Sequence, residues 1–492
     1  MDDDQERRGR PPLKQLRAGD RVAAPGHGDR RPAAPEADEP HPDPGDQPED
    51  PPPLTACRSC GHDDVVPVLD LGRTPLANSL LTPEQLGRPE PTYPLAIAFC
   101  TGCSLVQLTH AIPPEAMFSD YLYLSSYSDT VADNAEDIVR RVLAERPLGP
   151  DHLAVEVASN DGYLLRHYVA AGVPVLGIDP AASIAAVAES RGVPTLVSYF
   201  GIDLARQLRD EGRRADVLHA NNVMAHVPDI NGFIAGIAHL LADDGVAILE
   251  SPYLGDLVEH LEFDTIYHEH VFYYSLTAID ALLGRHGLEV QDCERIPIHG
   301  GTLRLFAGHA GARPTSPAVA ELRAAEATAG MATLAYYTGF AARVGELAGQ
   351  LRALLSSLKE EGARIAGYGA AAKGATLLNV AGVGTETLDF VVDRNPHKQG
   401  RYMPGVHIPV SAPERLLEER PEYLLLLAWN FAPEITRQQT EYQAGGGRFI
   451  VPAPRPQIVE QTTELAAAVR SAQQVGGEQG VGTGADDRER QA

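Results

Sequence analysis

Four of the chain's five cysteines stand in two pairs, Cys57-x-x-Cys60 and Cys100-x-x-Cys103, with 39 residues between them. A CxxC spacing places two soft thiolates on one tight turn. Two such turns supply the tetrahedral shell that Zn²⁺ takes in closed, structural sites. Gly61 after the first pair and Gly102 within the second suit knuckles whose backbone N–H groups point at the sulfurs. Two unrelated thiol pairs, or a redox site, are the alternatives. A zinc ribbon often grips nucleic acid, but Leu54–Pro114 carries only Arg58, Arg73 and Arg88 as basic side chains. The remaining Cys293 reads as a core thiol.

The densest titratable run is Tyr267-His268-Glu269-His270, with Tyr273 and Tyr274 close behind. It follows Glu250-Ser251-Pro252-Tyr253, at a strand end where catalytic groups can converge. Histidine titrates near neutrality, so a histidine beside a carboxylate can be a poised general base. His226 lies in Asn221–Pro228, after another strand, and His299-Gly300-Gly301-Thr302-Leu303-Arg304 forms a further polar turn. Metal binding by His-x-His and solvated loop histidines are the competing readings. A second kind of chemistry is suggested by Glu156 and the turn Ala158-Ser159-Asn160-Asp161-Gly162, which joins a strand to a helix. Such a turn is where an α/β sheet holds a nucleotide-like cofactor. Its two acids repel phosphate and suit the ribose and the cationic amino-acid end of S-adenosylmethionine. Asp179, one strand on, is placed to accept hydrogen bonds from ribose hydroxyls. The candidate cofactor set is therefore Glu156, Ala158, Asn160, Asp161, Gly162, Asp179, Asn221 and Asn222, against the alternative of a plain Asn-Asp-Gly turn.

These residues need a scaffold, and 492 residues suffice for two to four domains. Residues 1–53 hold 12 of the 39 prolines and almost no aromatic or β-branched residues, which predicts a disordered tail; residues 471–492 read the same way. Leu54–Pro114 is turn-rich and carries the paired cysteines. Residues 115–312 alternate strands (153–157, 173–179, 217–221, 246–250) with helical patterns, which implies a parallel, doubly wound sheet. Residues 313–470 open on a long helical stretch, Pro317–Glu361, and then restart the pattern at 364–368, 388–393 and 423–427. Two α/β units flanking a crevice are expected. The net charge of −26 argues against a general field for nucleic acid or an anionic membrane, so an anionic substrate must be held by local donors. No apolar run approaches the roughly 20 residues of a membrane span. The first residues lack a signal peptide's apolar core. The expectation is a soluble, cytoplasmic protein; a monomer is allowed.

About Leu54 to Val469 resembles the sugar C-methyltransferases that build the branched deoxysugars of antibiotics. The matching segments include the two cysteine pairs, Pro75-Leu76-Ala77-Asn78, Tyr121–Ser128, Glu156–Leu165, Asn221–Pro228, Tyr267–His270 and His299–Arg304. They continue in Gly367-Tyr368-Gly369-Ala370-Ala371-Ala372-Lys373-Gly374 and Val392–Gly400. Ala371 stands where the family has proline. The resemblance implies an α/β protein with an N-terminal zinc-ribbon-like module, a central Rossmann-like class I methyltransferase domain and a C-terminal Rossmann-like domain. It implies S-adenosylmethionine as methyl donor, a structural Zn²⁺, and an NDP-linked (dTDP-linked) 4-keto-deoxysugar methylated at C3. His270 would remove the proton α to the ketone, Tyr267 and Glu269 would orient it and bind the sugar, and His226 with Tyr123 or Tyr121 would line the pocket. The small-residue loop Gly367–Gly374 with Lys373, helped by Arg394 and Lys398, would anchor the diphosphate. His299 and Arg304 complete the candidate substrate set. Methylation of oxygen, nitrogen or a non-sugar carbon is the alternative enzyme, and a non-catalytic zinc-ribbon binding protein is the alternative outside catalysis.

Overall fold

The computed structural model describes residues 49–113, Met117, Ser126, 128–298 and 300–459. In the first of its three sheets, β1 (Val65–Thr74), β2 (Tyr93–Cys100) and β3 (Val106–Leu108) run antiparallel. Each cysteine pair sits at a chain reversal. Gly61 N–H donates to Cys57 O and Ser104 N–H to Cys100 O, both at 2.9 Å, so the two knuckles are built alike. The left-handed residue is Gly61 (φ 76°) in one and Ser104 (φ 62°) in the other. Gly102 serves a different need, because a Cβ there would meet the His62 ring at 2.9 Å. Residues beyond the expected start also lie on this module: Asp50 pairs with Arg73 at 2.8 Å and Pro53 bridges His110.

The second sheet has seven strands: β4 (Ala154–Val157), β5 (Val175–Asp179), β6 (Thr195–Val197), β7 (Ala215–Asn221), β8 (Leu241–Pro252), β10 (Leu288–Ile296) and β11 (Thr302–His309). Their order is β10-β11-β8-β7-β4-β5-β6, parallel from β8 to β6 and antiparallel at β11 and β10. Every residue of β4 is buried, as near-continuous apolar strands covered on both faces require. The order reverses at β4, which lies between β5 and β7. A ligand crevice is expected outside the carboxyl ends at such a point.

The third sheet runs β14 (Val410–Ser411), β13 (Val391–Val392), β12 (Ile365–Tyr368), β15 (Tyr423–Leu426), β16 (Arg448–Val451) and β17 (Gln457–Val459), parallel except for β17. The stretch Pro317–Glu361 is two helices, Pro317–Ala329 and Phe340–Glu360, broken at Gly330 and Gly339, which both take positive φ. The longer one buries a stripe at Phe340, Val344, Leu347, Leu351, Leu355 and Leu358, the spacing of one helical face.

The modules interlock. The short strand β9 (Phe272–Tyr273), from the chain around the second sheet, completes the first sheet by pairing with β3. Leu81 and Tyr402 exchange backbone hydrogen bonds (3.0 and 2.9 Å) between the first module and the third. Glu434 of the third accepts from Thr130 Oγ1 (2.6 Å) at the start of helix Asp129–Glu145. Among the described residues no helix is long and apolar enough to cross a membrane.

Candidate active site

A cavity of about 1110 Å³ opens at the carboxyl ends of β4, β5 and β7 and takes its walls from all three modules. Its floor is a set of unusual backbones. Ala158 (φ 55°), Asn160 (φ 48°) and Asn222 (φ 55°) sit in the left-handed region, which costs alanine roughly 1–2 kcal/mol and asparagine less. Asp179, at the end of β5, holds the turn by accepting Asn160 N–H (3.0 Å) and Ala181 N–H (2.9 Å). Ala158, Asn160, Asp179, Asn221 and Asn222 line the cavity. Three of the expected cofactor residues lie beneath it instead. Glu156 is buried, and burial, reinforced by Asp179, Asp161 and Glu250 nearby, lifts its carboxyl well above the carboxylate range. Asp161 accepts from Arg191 at 2.7 Å and from Ser126. Gly162 keeps Val193 close, since a Cβ would meet Val193 Cγ2 at 2.9 Å. Ser198, Tyr199 and Phe200 after β6 also line the cavity, and no local motif announces them.

The acid–base run forms the adjoining wall. Val271 N–H donates to Ala225 O (2.7 Å) and the Tyr274 hydroxyl to Met224 O (3.1 Å), which ties the run to the Asn221–Pro228 segment. The rings of His226 and His270 consequently meet edge to face at 4.7 Å. His270 Nδ1 lies 2.9 Å from Thr265 O, and its Nε2 lies 2.8 Å from the Tyr267 hydroxyl. A carbonyl can only accept, so Nδ1 carries the proton and Nε2 presents a lone pair to the Tyr267 O–H. His226 is pulled down to about 4 by burial, so it stays neutral beside His270. Glu269 lines the same wall, with Asn78 Nδ2 donating to its Oε1 at 2.7 Å. His268 turns away, edge-on to Tyr93 at 5.9 Å, and burial lowers it to about 4.

Burial pushes Glu269 up to about 7, against the opposing pull of Asn78 and Lys398. Between its ordinary 4.5 and 7 the folded chain therefore binds more protons than the unfolded one, and stability falls as pH rises through that window. The effect is on the order of 3 kcal/mol. Glu269→Gln is expected to remove it, so that the variant gains in thermal midpoint on wild type between pH 5 and pH 8. A difference that stays constant across that range would show that Glu269 ionises normally.

The four knuckle sulfurs all lie within 4.8 Å of one another, with Cys57–Cys103 at 3.7 Å and Cys60–Cys100 at 3.6 Å. Four thiolates about 2.3 Å from a tetrahedral Zn²⁺ stand about 3.8 Å apart, so the donor set fits that ion. Gln107 Nε2 donates to Cys57 Sγ at 3.1 Å, an outer-shell contact of the usual kind.

Residues 57–118 match the family described as "putative zinc binding domain", 128–292 a methyltransferase domain and 297–454 a C-methyltransferase C-terminal domain. The C-methyltransferase NovU of Streptomyces niveus is 38% identical over 414 residues, spanning 84% of this chain and 99% of that protein. The chain belongs to the C-methyltransferase family. Two solved structures resemble it slightly. The magnesium protoporphyrin IX methyltransferase of Synechocystis PCC 6803 is 18% identical, with a TM-score of 0.30 over 36% of this chain and 83% of that one. An S-adenosylmethionine-dependent methyltransferase of Clostridium acetobutylicum is 11% identical, with a TM-score of 0.29 over 37% and 92%. Such likeness carries no functional detail.

Zinc is the metal of this C-methyltransferase's cysteine cluster, and S-adenosylmethionine is its methyl donor. The cavity floor fits that donor. Asp179 offers a carboxylate at the strand end, and the buried Oδ1 atoms of Asn221 and Asn222 lack a hydrogen-bond partner among the described residues. The other expected site residues scatter. Lys373 and Lys398 line the cavity, as does Arg401, which the sequence reading passed over. Arg304 is instead buried against Glu250 at 2.6 Å, and Arg394 pairs with Glu434 at 3.6 Å; neither lines the cavity. Tyr121, Tyr123 and His299 lie outside the described residues. Cys293 is a buried thiol, raised to about 11 by that burial.

Proposed function

We propose that this C-methyltransferase acts on a nucleotide-linked 4-keto-deoxysugar, dTDP-linked, and methylates it at C3 through an enolate. The observation that carries the reading is His270, whose Nε2 lone pair is fixed by the Nδ1–H bond to Thr265 O at a wall of the three-module cavity. A C–H bond is a poor nucleophile, so carbon methylation needs an activated carbon. In a 4-keto sugar the C3 proton is acidified by the ketone. Removing it leaves its electron pair delocalised over C3, C4 and the ketone oxygen.

His270 Nε2 takes that proton, a positioned base being worth roughly 10²–10⁴-fold. The Tyr267 hydroxyl, released from Nε2, then donates toward the developing oxyanion, and so does Glu269 in the form that keeps its proton, a contribution of a few kcal/mol. His226 helps by staying neutral, since an imidazolium against the His270 ring would lower its basicity. S-adenosylmethionine, when bound, supplies the electrophilic methyl group. The diphosphate is held where the C-terminal domain meets the cavity. There Ala371 and Ala372 begin helix Ala372–Ala381 without a side-chain cap, and Lys398 and Arg401 add local positive charge. Those donors answer the need of an acidic chain for local anion contacts.

The test is to incubate the protein with labelled S-adenosylmethionine and a panel of dTDP-4-keto-deoxysugars, 3-amino and 3-hydroxy. The same sugars are run in D₂O without the donor. Deuterium at C3 together with a mass gain of one methyl is the expected result. Methyl transfer without exchange at C3 would overturn the enolate route.

A further inference from the structure

Lys373 stands in the first turn of helix Ala372–Ala381, where the sequence suggests a phosphate contact. Its ammonium is committed elsewhere. Nζ donates to Thr265 Oγ1 at 2.5 Å and lies 3.4 Å from Asp264 Oδ1 and 4.0 Å from Glu262 Oε2. The same group sits 4.9 Å over the Trp429 ring, and Trp429 Nε1 donates to Asp264 Oδ2 at 2.7 Å. One of its donors is spent on Thr265, and the two carboxylates stand within ion-pair distance. Both carboxylates are buried, and moving the charge to a phosphate would leave Asp264 facing the neutral Trp429 N–H, while Glu262 keeps His260 at 3.7 Å.

Thr265 is thereby held at both ends. Its hydroxyl receives Lys373, and its carbonyl receives His270 Nδ1–H. We propose that Lys373 is a positioning residue for the base: it clamps the turn Glu262–Thr265 from the C-terminal domain, so that Thr265 O keeps His270 in the Nδ1–H tautomer with Nε2 facing the cavity. The proposal rests on the reading of His270 as base. It makes the competence of that base depend on how the C-terminal domain is docked. A base that loses its orientation loses rate rather than substrate affinity, and small misplacements are expensive.

The experiment compares full-length wild type, Lys373→Met and Lys373→Arg. In Lys373→Met, kcat is expected to fall roughly 10- to 100-fold with KM for the sugar nucleotide within about 3-fold. Lys373→Arg is expected to recover most of that loss, because a guanidinium can still bridge Thr265 and Asp264. ¹⁵N-labelled histidine gives a readout that needs no substrate. The His270 resonance, assigned by its absence in His270→Asn, is expected to report one tautomer in wild type and in Lys373→Arg, and a mixture in Lys373→Met. An unmoved resonance with a raised KM and unchanged kcat would make Lys373 a phosphate anchor and overturn the proposal. Should Lys373→Met fail to fold, Thr265→Val keeps the ion pairs and the backbone carbonyl while removing the hydroxyl. A shifted tautomer ratio supports the clamp, and an unshifted one overturns it. Because that readout is independent of turnover, a wrong substrate panel leaves it intact, so the failure of either idea is recognisable.

Discussion

Replacing His270 by asparagine is expected to abolish methyl transfer, a loss of at least roughly 10²–10⁴-fold, while leaving S-adenosylmethionine affinity within about twofold. Asparagine is chosen because its side-chain amide can donate to Thr265 O as Nδ1–H does, so the wall keeps its shape. What disappears is the basic lone pair that faces the Tyr267 hydroxyl. The floor proposed for the donor lies at the ends of β4, β5 and β7, including Asp179, Asn221 and Asn222, and the hydrogen bonds that hold its turn do not run through His270. Labelled methyl transfer and calorimetric titration of the donor make the two measurements. A variant that still methylates would move the base to Glu269, which burial has already brought to about 7.

Removing the metal is expected to have an effect of similar size by another route. Cys100→Ser should take the chain from one zinc to none, lower the first unfolding transition, and open the loops of residues 57–108 to protease. Structural zinc contributes on the order of 10–16 kcal/mol in small finger peptides, more than a module of this size can gain from its own core. Activity is expected to drop more than about 10-fold with it. The wall Pro75–Leu81 belongs to this module, and Asn78 brings the hydrogen bond that partly counters the burial of Glu269. Donor binding should persist, since the floor proposed for it comes from the second sheet. Metal analysis, thermal scans and limited proteolysis follow each step. Full activity in a zinc-free variant would detach the module from the site.

What could be read from the sequence is what has a local signal. The apolar runs at Ala154–Val157 and Val175–Asp179 declare buried parallel strands, and the cysteine spacing declares its cluster, because both depend on neighbours in the chain. The Tyr267–His270 run marked a stretch that lines the cavity but could not say that His268 turns toward Tyr93. The reason is that the face each side chain takes is set by the pairing of β9 with β3, some 165 residues away in sequence. Asn78 and Arg401 enter the site only through contacts between modules, which leave no trace in composition. Lys373 was legible as a cation near a helix start, yet not its partners, Asp264 and Glu262, which come from another sheet's loops. Arg304 illustrates the converse. A polar turn looked functional, whereas the arginine neutralises Glu250 in the core.

The strand Phe272–Tyr273 begins two residues after His270 and lies along the edge of the zinc module. This has a practical meaning for anyone recombining such enzymes. A cut at the end of the cysteine-bearing segment looks like a clean seam, but it would leave β3 with bare backbone donors and acceptors on one side. Exposed strands of that kind recruit other chains. A chimera that imports a foreign zinc module must therefore also import the strand that follows His270, or accept a displaced His270. The inheritable cassette is the metal module together with Tyr267–Tyr274, two stretches distant in the gene and inseparable in the fold.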